Sequence, residues 1–191
     1  MRLERYWQNH LGWQEPYQQF PQISDAEYVF NQDTAQEFTL TGTDPDNLPL
    51  TFTITKDPTL GIISGSEPSF TYTPYQNISG VDTIKYKANN GTKNSLEGTI
   101  TFRINGAPVA ISLSVDATTD TNVNITLIGI DPEPDTLTYT VLSQPTLGVL
   151  SGTAPDLVYA PGGVAGSDYF TYKVSDGQLE STEATVTINI A

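Results

Sequence analysis

Three carboxylates at alternate positions, Asp131, Glu133 and Asp135, form the densest group of ligand-type side chains in the chain. Hard cations are gripped by oxygen atoms at such spacing, and calcium is the cation they would take. The corresponding stretch Asp44-Pro45-Asp46 keeps two of the three carboxylates, with Leu48 in the third place. An EF-hand counted from Asp131 needs glycine at its sixth position and glutamate at its twelfth. Thr136 and Leu142 stand there, which excludes that loop. The competing reading is structural: aspartates beside Pro132 and Pro134 close Asx turns between two strands.

Other chemistry finds less support. Asp82 and Asp168 open a shared motif in which a side-chain contact to nearby backbone is the expected role. As a glycosidic pair they would have to face each other across a cleft, which a sandwich with short loops does not provide. Cysteine is absent, and His10 is the only histidine. Thiol nucleophiles, Cys-ligated metals and multi-histidine sites are therefore excluded, and no catalytic residue is expected. Gly162, Gly163 and Gly166 are not followed by the GK[ST] of a phosphate loop and read as a turn. Asn77, Asn90 and Asn124 begin N-x-[ST] triplets, which carry no meaning without export. Tyr75 and Tyr169 are candidates for stacking on sugars.

Across 191 residues, 22 acidic side chains against 8 basic ones give a net charge of −14. Such a field repels nucleic-acid phosphates and anionic membranes, so neither is an expected partner. No apolar run reaches the ~20 residues that span a bilayer. The start, Met1-Arg2-Leu3-Glu4-Arg5, lacks the apolar core of a secretion signal. The expectation is a protein used inside a cell or carried out on an assembly such as a particle released by lysis.

The elements that hold these residues follow from an internal repeat. Asp44-Pro45-Asp46 and Leu50 to Ile54 recur 87 positions later as Asp131-Pro132-Glu133 and Leu137 to Val141. Pro58-Thr59-Leu60-Gly61, Tyr72 and Pro74 recur in the same register as Pro145-Thr146-Leu147-Gly148, Tyr159 and Pro161. One deletion later, Gly80, Asp82, Tyr86, Gly91 and Ile104 pair with Gly166, Asp168, Tyr172, Gly177 and Ile190. Two copies of one fold result, domain 1 over residues 21–106 and domain 2 over 107–191, joined at Asn105-Gly106-Ala107-Pro108.

Within each copy the apolar period is two, as in Leu50, Phe52 and Ile54, and Gly, Pro, Asn and Asp punctuate the runs. About seven strands per copy are predicted, in the first near 26–31, 36–41, 49–55, 61–64, 70–73, 82–88 and 97–104. That pattern predicts an all-β sandwich.

Asp82 to Ala88 and Asp168 to Val174 resemble the D-x-A-x-Y-x-C stretch of immunoglobulin strand F, with Ala88 and Val174 where the cysteine would stand. With the D-P-D/E and P-T-L-G turns, the copies resemble bacterial and phage cadherin-like or Ig-like tandem repeats. The resemblance implies two Greek-key sandwiches in which Tyr86 and Tyr172 are structural tyrosine corners. It also implies that the D-P-D turn faces a neighbouring module, where cadherins place calcium.

Residues 1–20 lie outside the repeat and hold both tryptophans. Leu3, Tyr6, Trp7, His10 and Leu11 follow the spacing of one helical face, with Gly12 at the cap position, which predicts a short amphipathic helix followed by an extended stretch through Trp13, Tyr17 and Phe20. This arm is either a cap on the open end of the first sandwich or an anchor in a partner's groove, for which Leu3, Tyr6, Trp7, Leu11, Trp13, Tyr17 and Phe20 are the docking candidates. The arm is neutral, whereas domain 1 carries −5 and domain 2 −9, so a neutral aromatic end would dock and an acidic end face solvent.

Together with the resemblance, these features favour a non-enzymatic structural protein of a bacteriophage virion. It would be a capsid decoration, head-fibre or neck and tail accessory bound to capsid or tail proteins, and a place on a symmetric lattice is compatible with a trimer. The alternative is an adhesive module at the cell surface or outside the cell. Such a module, cadherin-like or lectin-like, would recognise a host glycan or protein, with calcium at Asp131, Glu133 and Asp135.

Overall fold

The computed structural model describes residues 19–191, and the predicted helix over 3–11 lies outside them. Every regular element among the described residues is a strand. In the first repeat these are β1 (Ala26–Asn31), β2 (Gln36–Thr39), β3 (Thr51–Lys56), β4 (Gly61–Ser66), β5 (Ser69–Pro74), β6 (Gly80–Asn89) and β7 (Gly98–Asn105). The second repeat supplies β8 (Val109–Ala110), β9 (Leu113–Ala117), β10 (Val123–Thr126), β11 (Gly129–Ile130), β12 (Thr138–Val141), β13 (Gly148–Thr153), β14 (Asp156–Pro161), β15 (Gly166–Ser175) and β16 (Ala184–Ile190). The all-β expectation holds, and the sequence-predicted strands are met within three residues at each end. The extra two-residue pair, β8 with β11, matches a lone bridge in the first repeat between Gln22 and Thr43.

Each repeat builds one sheet of four strands and one of three. The orders are β1-β7-β6-β3 and β2-β5-β4 in the first, and β12-β15-β16-β9 and β10-β14-β13 in the second. β16 runs parallel to β9, with Ile188 opposite Val115, so the last strand of the second repeat closes beside its first long one. Alternation decides which side chains enter the core. Along β6, Asp82, Ile84, Tyr86 and Ala88 are buried while Thr83, Lys85 and Lys87 point outward, and β15 repeats this with Asp168, Phe170, Tyr172 and Val174.

The chain divides into two compact units. Among the described residues, one comprises 19–28, Ala35–Thr73 and Asp82–Phe102, and the other comprises Val29–Thr34, Pro74–Val81 and Arg103–Ala191. At the centre of the first, Tyr72 stacks on Phe102 with ring centroids 4.2 Å apart, and Phe38 meets Phe102 edge-on at 5.3 Å. The second is centred on Tyr159, Phe170, Tyr172, Val186 and Ile188. No disulfide crosses either core, so apolar packing and the buried polar groups described next carry the fold.

Candidate functional site

Asp82 and Asp168 are 3% and 1% exposed, the most buried carboxylates among the described residues. Each is enclosed by donors. Asp82 accepts the backbone amides of Leu60 at 2.7 Å, Thr83 at 2.9 Å and Thr59 at 3.0 Å, and the Tyr72 hydroxyl at 3.0 Å. Asp168 accepts those of Leu147 and Thr146, both at 2.8 Å, and Tyr169 at 3.0 Å, with the Tyr159 hydroxyl at 2.9 Å. Burial alone would push both carboxyls up. The amides and the tyrosine hydroxyl more than offset it, and both are held below the usual carboxylate range. Tyr159 is pushed up to about 12 by burial and by the adjoining Asp168 carboxylate.

This cage explains the most repeated residues. The Pro-Thr-Leu-Gly turn delivers two consecutive amides to the carboxylate, and its glycine clears the way for the tyrosine. A Cβ on Gly61 would come within 2.7 Å of the Tyr72 ring, and one on Gly148 would run into the Tyr159 ring. Tyr72 and Tyr159 repeat in register, but nothing in the sequence says that the aspartate joins them to the turn. With its lone pairs taken up by fold donors, neither aspartate is arranged as a catalytic acid.

Tyr86 and Tyr172 also bond to backbone. The Tyr86 hydroxyl donates to Ser24 O at 2.9 Å, with Thr41 O at 3.3 Å, and that of Tyr172 lies 2.6 Å from Ile111 O and 2.8 Å from Ile128 O. These partners are far back in the chain, not a few residues upstream as in an immunoglobulin corner. Each tyrosine thus fastens the segment entering its sandwich to the segment before the D-P-D/E turn.

At those turns the copies diverge. Asp44 Oδ1 accepts the Asp46 amide at 2.9 Å and its Oδ2 accepts the Asn90 side chain at 2.9 Å, so Asn90, ahead of burial, holds its carboxyl low. Asn90 is 6% exposed, which leaves no room for a glycan at that triplet. In the second repeat Asp131 Oδ1 accepts the Glu133 amide at 2.9 Å, but Asp176 occupies the position of Asn90. No donor is offered, and Asp131 Oδ2 is buried without a partner. Burial, then Asp176, Glu133 and Asp135, push this carboxyl up. Glu133 accepts the Gly106 amide at 2.8 Å, and Asp176 accepts the Leu179 and Gln178 amides at 2.6 Å and the Asn105 side chain at 2.9 Å. Among the described residues no group of three acidic or histidine side chains is gathered as a metal site. Asp135 is exposed.

Of the docking candidates only Phe20 is described. Leu3, Tyr6, Trp7, Leu11, Trp13 and Tyr17 lie outside the described residues. Phe20 is 55% exposed, with the Lys93 ammonium 4.7 Å from its ring centroid, a cation–π contact. It lines a groove of about 1010 Å³ with Pro21, Ile23, Asp25, Leu96 and Glu97. Leu96 is 88% exposed, and its place in a loop without periodicity gives it no mark in the sequence. Tyr75 and Tyr169 stand exposed as separate side chains.

Comparison with known proteins places these features. Residues 18–103 and 105–189 each match the model described as Bacterial Ig domain. Over 117 residues the chain is 32% identical to Integrin beta-like protein B of Dictyostelium discoideum, a match covering 51% of this chain and only 6% of that protein. Human Protocadherin-24 EC1-2 is similar in structure, with a TM-score of 0.53 and 13% identity over 91% of this chain and 98% of that one. Extracellular cadherin domains 3-6 of Protocadherin Gamma B2 give 0.50 and 15% identity over 90% of this chain and 51% of that one. At such identities the likeness is one of fold.

Proposed function

Since the chain belongs to the bacterial Ig domain family, we propose that it is a non-enzymatic surface module of the adhesion type. It holds a recognition face on two consecutive sandwiches outside a cell or particle. The observation that carries this reading is the donor cage. In both repeats the deeply buried carboxylate is spent on fastening a turn and a tyrosine, which stiffens the sandwich and leaves recognition to its outer surface. A net charge of −14 favours a basic protein or a neutral glycan over phosphate-rich partners.

A second reading places the module on a bacteriophage virion, as a capsid decoration, head-fibre or neck and tail accessory. It is favoured by the aromatic residues concentrated in a neutral stretch ahead of two acidic repeats. The two readings differ in where binding resides. The full chain and a chain starting at Pro21 are immobilised in parallel and exposed to purified host cell-surface glycans and proteins and to purified capsid and tail proteins. Equal retention of a surface component by both forms supports the adhesive reading. Retention of a capsid or tail protein by the full chain alone replaces it with the virion reading. Cleavage of an offered polysaccharide would overturn the non-enzymatic premise of both.

A further inference from the structure

The two repeats share one fold but not one surface, and the difference at this groove calls for an explanation. Phe20, Ile23 and Leu96 wall the groove of the first repeat, and their equivalents in the second are Ala107, Ala110 and Thr182. The framework around that last pair is unchanged. Ser95 Oγ bonds Leu96 O at 2.6 Å and accepts the Ala88 amide at 2.9 Å, and Ser181 Oγ bonds Thr182 O at 2.7 Å and accepts the Val174 amide at 3.0 Å. The same clamp therefore pins a leucine into water in one copy and a threonine in the other. Gly98 completes the difference. A Cβ there would meet the Ile23 side chain at 2.9 Å, whereas the equivalent positions of the second repeat hold Ala184 and the smaller Ala110.

What distinguishes the first repeat is the chain that precedes it. Eighteen residues lie ahead of Gln19, and Gln19 is on the groove wall, held by its amide to Asp46 at 3.0 Å and by its carbonyl to the Asn90 side chain at 3.3 Å. That segment carries the apolar stripe Leu3, Tyr6, Trp7 and Leu11, with Arg2, Glu4 and Arg5 beside it. The groove it would meet is walled by apolar side chains together with Asp25, which accepts the Thr99 amide, and Glu97, which is paired with Lys85 at 3.0 Å. A helix of about ten residues is marginal alone in water and needs a surface. Residues 14–18, at up to ~3.5 Å each, are long enough to turn the chain back onto the sandwich it precedes.

We propose that the groove walled by Phe20, Ile23 and Leu96 is the seat of this chain's own residues 3–13, which dock there in cis. The inference is independent of the functional reading above, because it concerns the free chain. Trp7 and Trp13 are the only tryptophans, so tryptophan emission, excited beyond the tyrosine absorption band, reports on this segment alone. The full chain is expected to show blue-shifted emission and shielding from acrylamide, both unchanged across a hundredfold dilution. L96D is expected to red-shift the emission and raise quenching severalfold with an unchanged far-ultraviolet circular dichroism spectrum, since Leu96 lies outside the core of the sandwich. The control T182D, at the matching site of the second repeat, leaves emission as in the parent. Solvent-exposed emission in the parent, or emission indifferent to L96D, overturns the proposal. Shielding lost on dilution overturns it too, by assigning the groove to a second copy.

Discussion

Replacing Asp168 by asparagine keeps the shape of the side chain and removes its charge, so it isolates what the donor cage contributes. One oxygen becomes an amino group facing donors, and the Thr146, Leu147 and Tyr169 amides can no longer all be satisfied. A buried amide left without an acceptor costs about 1–3 kcal/mol, and each hydrogen bond that passes from charged to neutral loses about 1 kcal/mol. The expected loss is therefore about 3–5 kcal/mol. A sandwich of this size has roughly 4–13 kcal/mol in all, at about 0.05–0.15 kcal/mol per residue. Urea unfolding of the full chain followed by circular dichroism should show one transition moving to markedly lower denaturant, with D57N, at an exposed site, as the baseline. The charge adds a second requirement. The Asp168 carboxyl is depressed in the folded state, so its stabilisation is complete above the ordinary value of 3.8 and is lost as pH falls through the depressed one. The gap between D168N and parent should close as pH drops below about 4. A midpoint within error of the parent at pH 7, or a gap equally wide at pH 3, would refute the cage as a source of stability.

Further expectations concern the same framework. G61A and G148A push a methyl into Tyr72 and Tyr159 and should each cost about 1–3 kcal/mol by denaturant titration; a neutral effect would mean that the ring has room to shift. Y86F and Y172F remove the donor that joins two distant segments, and each should lower stability by about 1–3 kcal/mol without changing the fold seen by circular dichroism. D131N gives the orphaned position a donor and removes a like-charge contact with Asp176, so it should stabilise by about 0.5–1.5 kcal/mol at pH 7; destabilisation would show that the carboxylate has a partner in solution. Calcium at a few millimolar should leave the melting temperature unchanged within about 1 °C. The Glu133 and Asp176 carboxylates are already engaged by backbone and side-chain donors, and a rise of about 5 °C would reveal a chelate.

Strand positions were legible because alternation and turn chemistry act locally. Leu50, Phe52 and Ile54 declare a half-buried strand wherever the rest of the chain goes, and the repeat confirms each punctuation mark. The cage was only half legible. Asp82 carried a backbone-bonding expectation from its motif, yet its donors at Thr59 and Leu60 come from another turn, and Tyr72 comes from β5. Recurrence in register shows that these residues matter together and is silent on distance. The groove was less legible still. Leu96 stands in an aperiodic loop, and only the burial of its neighbour Ser95 makes its own exposure notable.

The internal repeat supplies what a single sequence otherwise lacks, two solutions to one folding problem. Positions alike in both copies are those the sandwich needs: the caged aspartate, the Pro-Thr-Leu-Gly turn, the long-range tyrosines and the serine clamp. Positions that differ are free of that demand, so their chemistry points elsewhere. Asp44 faces Asn90 in a satisfied pair, whereas Asp131 faces Asp176 and is left with a buried, unpartnered oxygen, a cost that packing alone does not require. Phe20, Ile23 and Leu96 become Ala107, Ala110 and Thr182, which replaces three large apolar side chains with two small ones and a polar one. The fold is written in the agreement between the copies, and function is to be sought at these two disagreements, one acidic and one apolar.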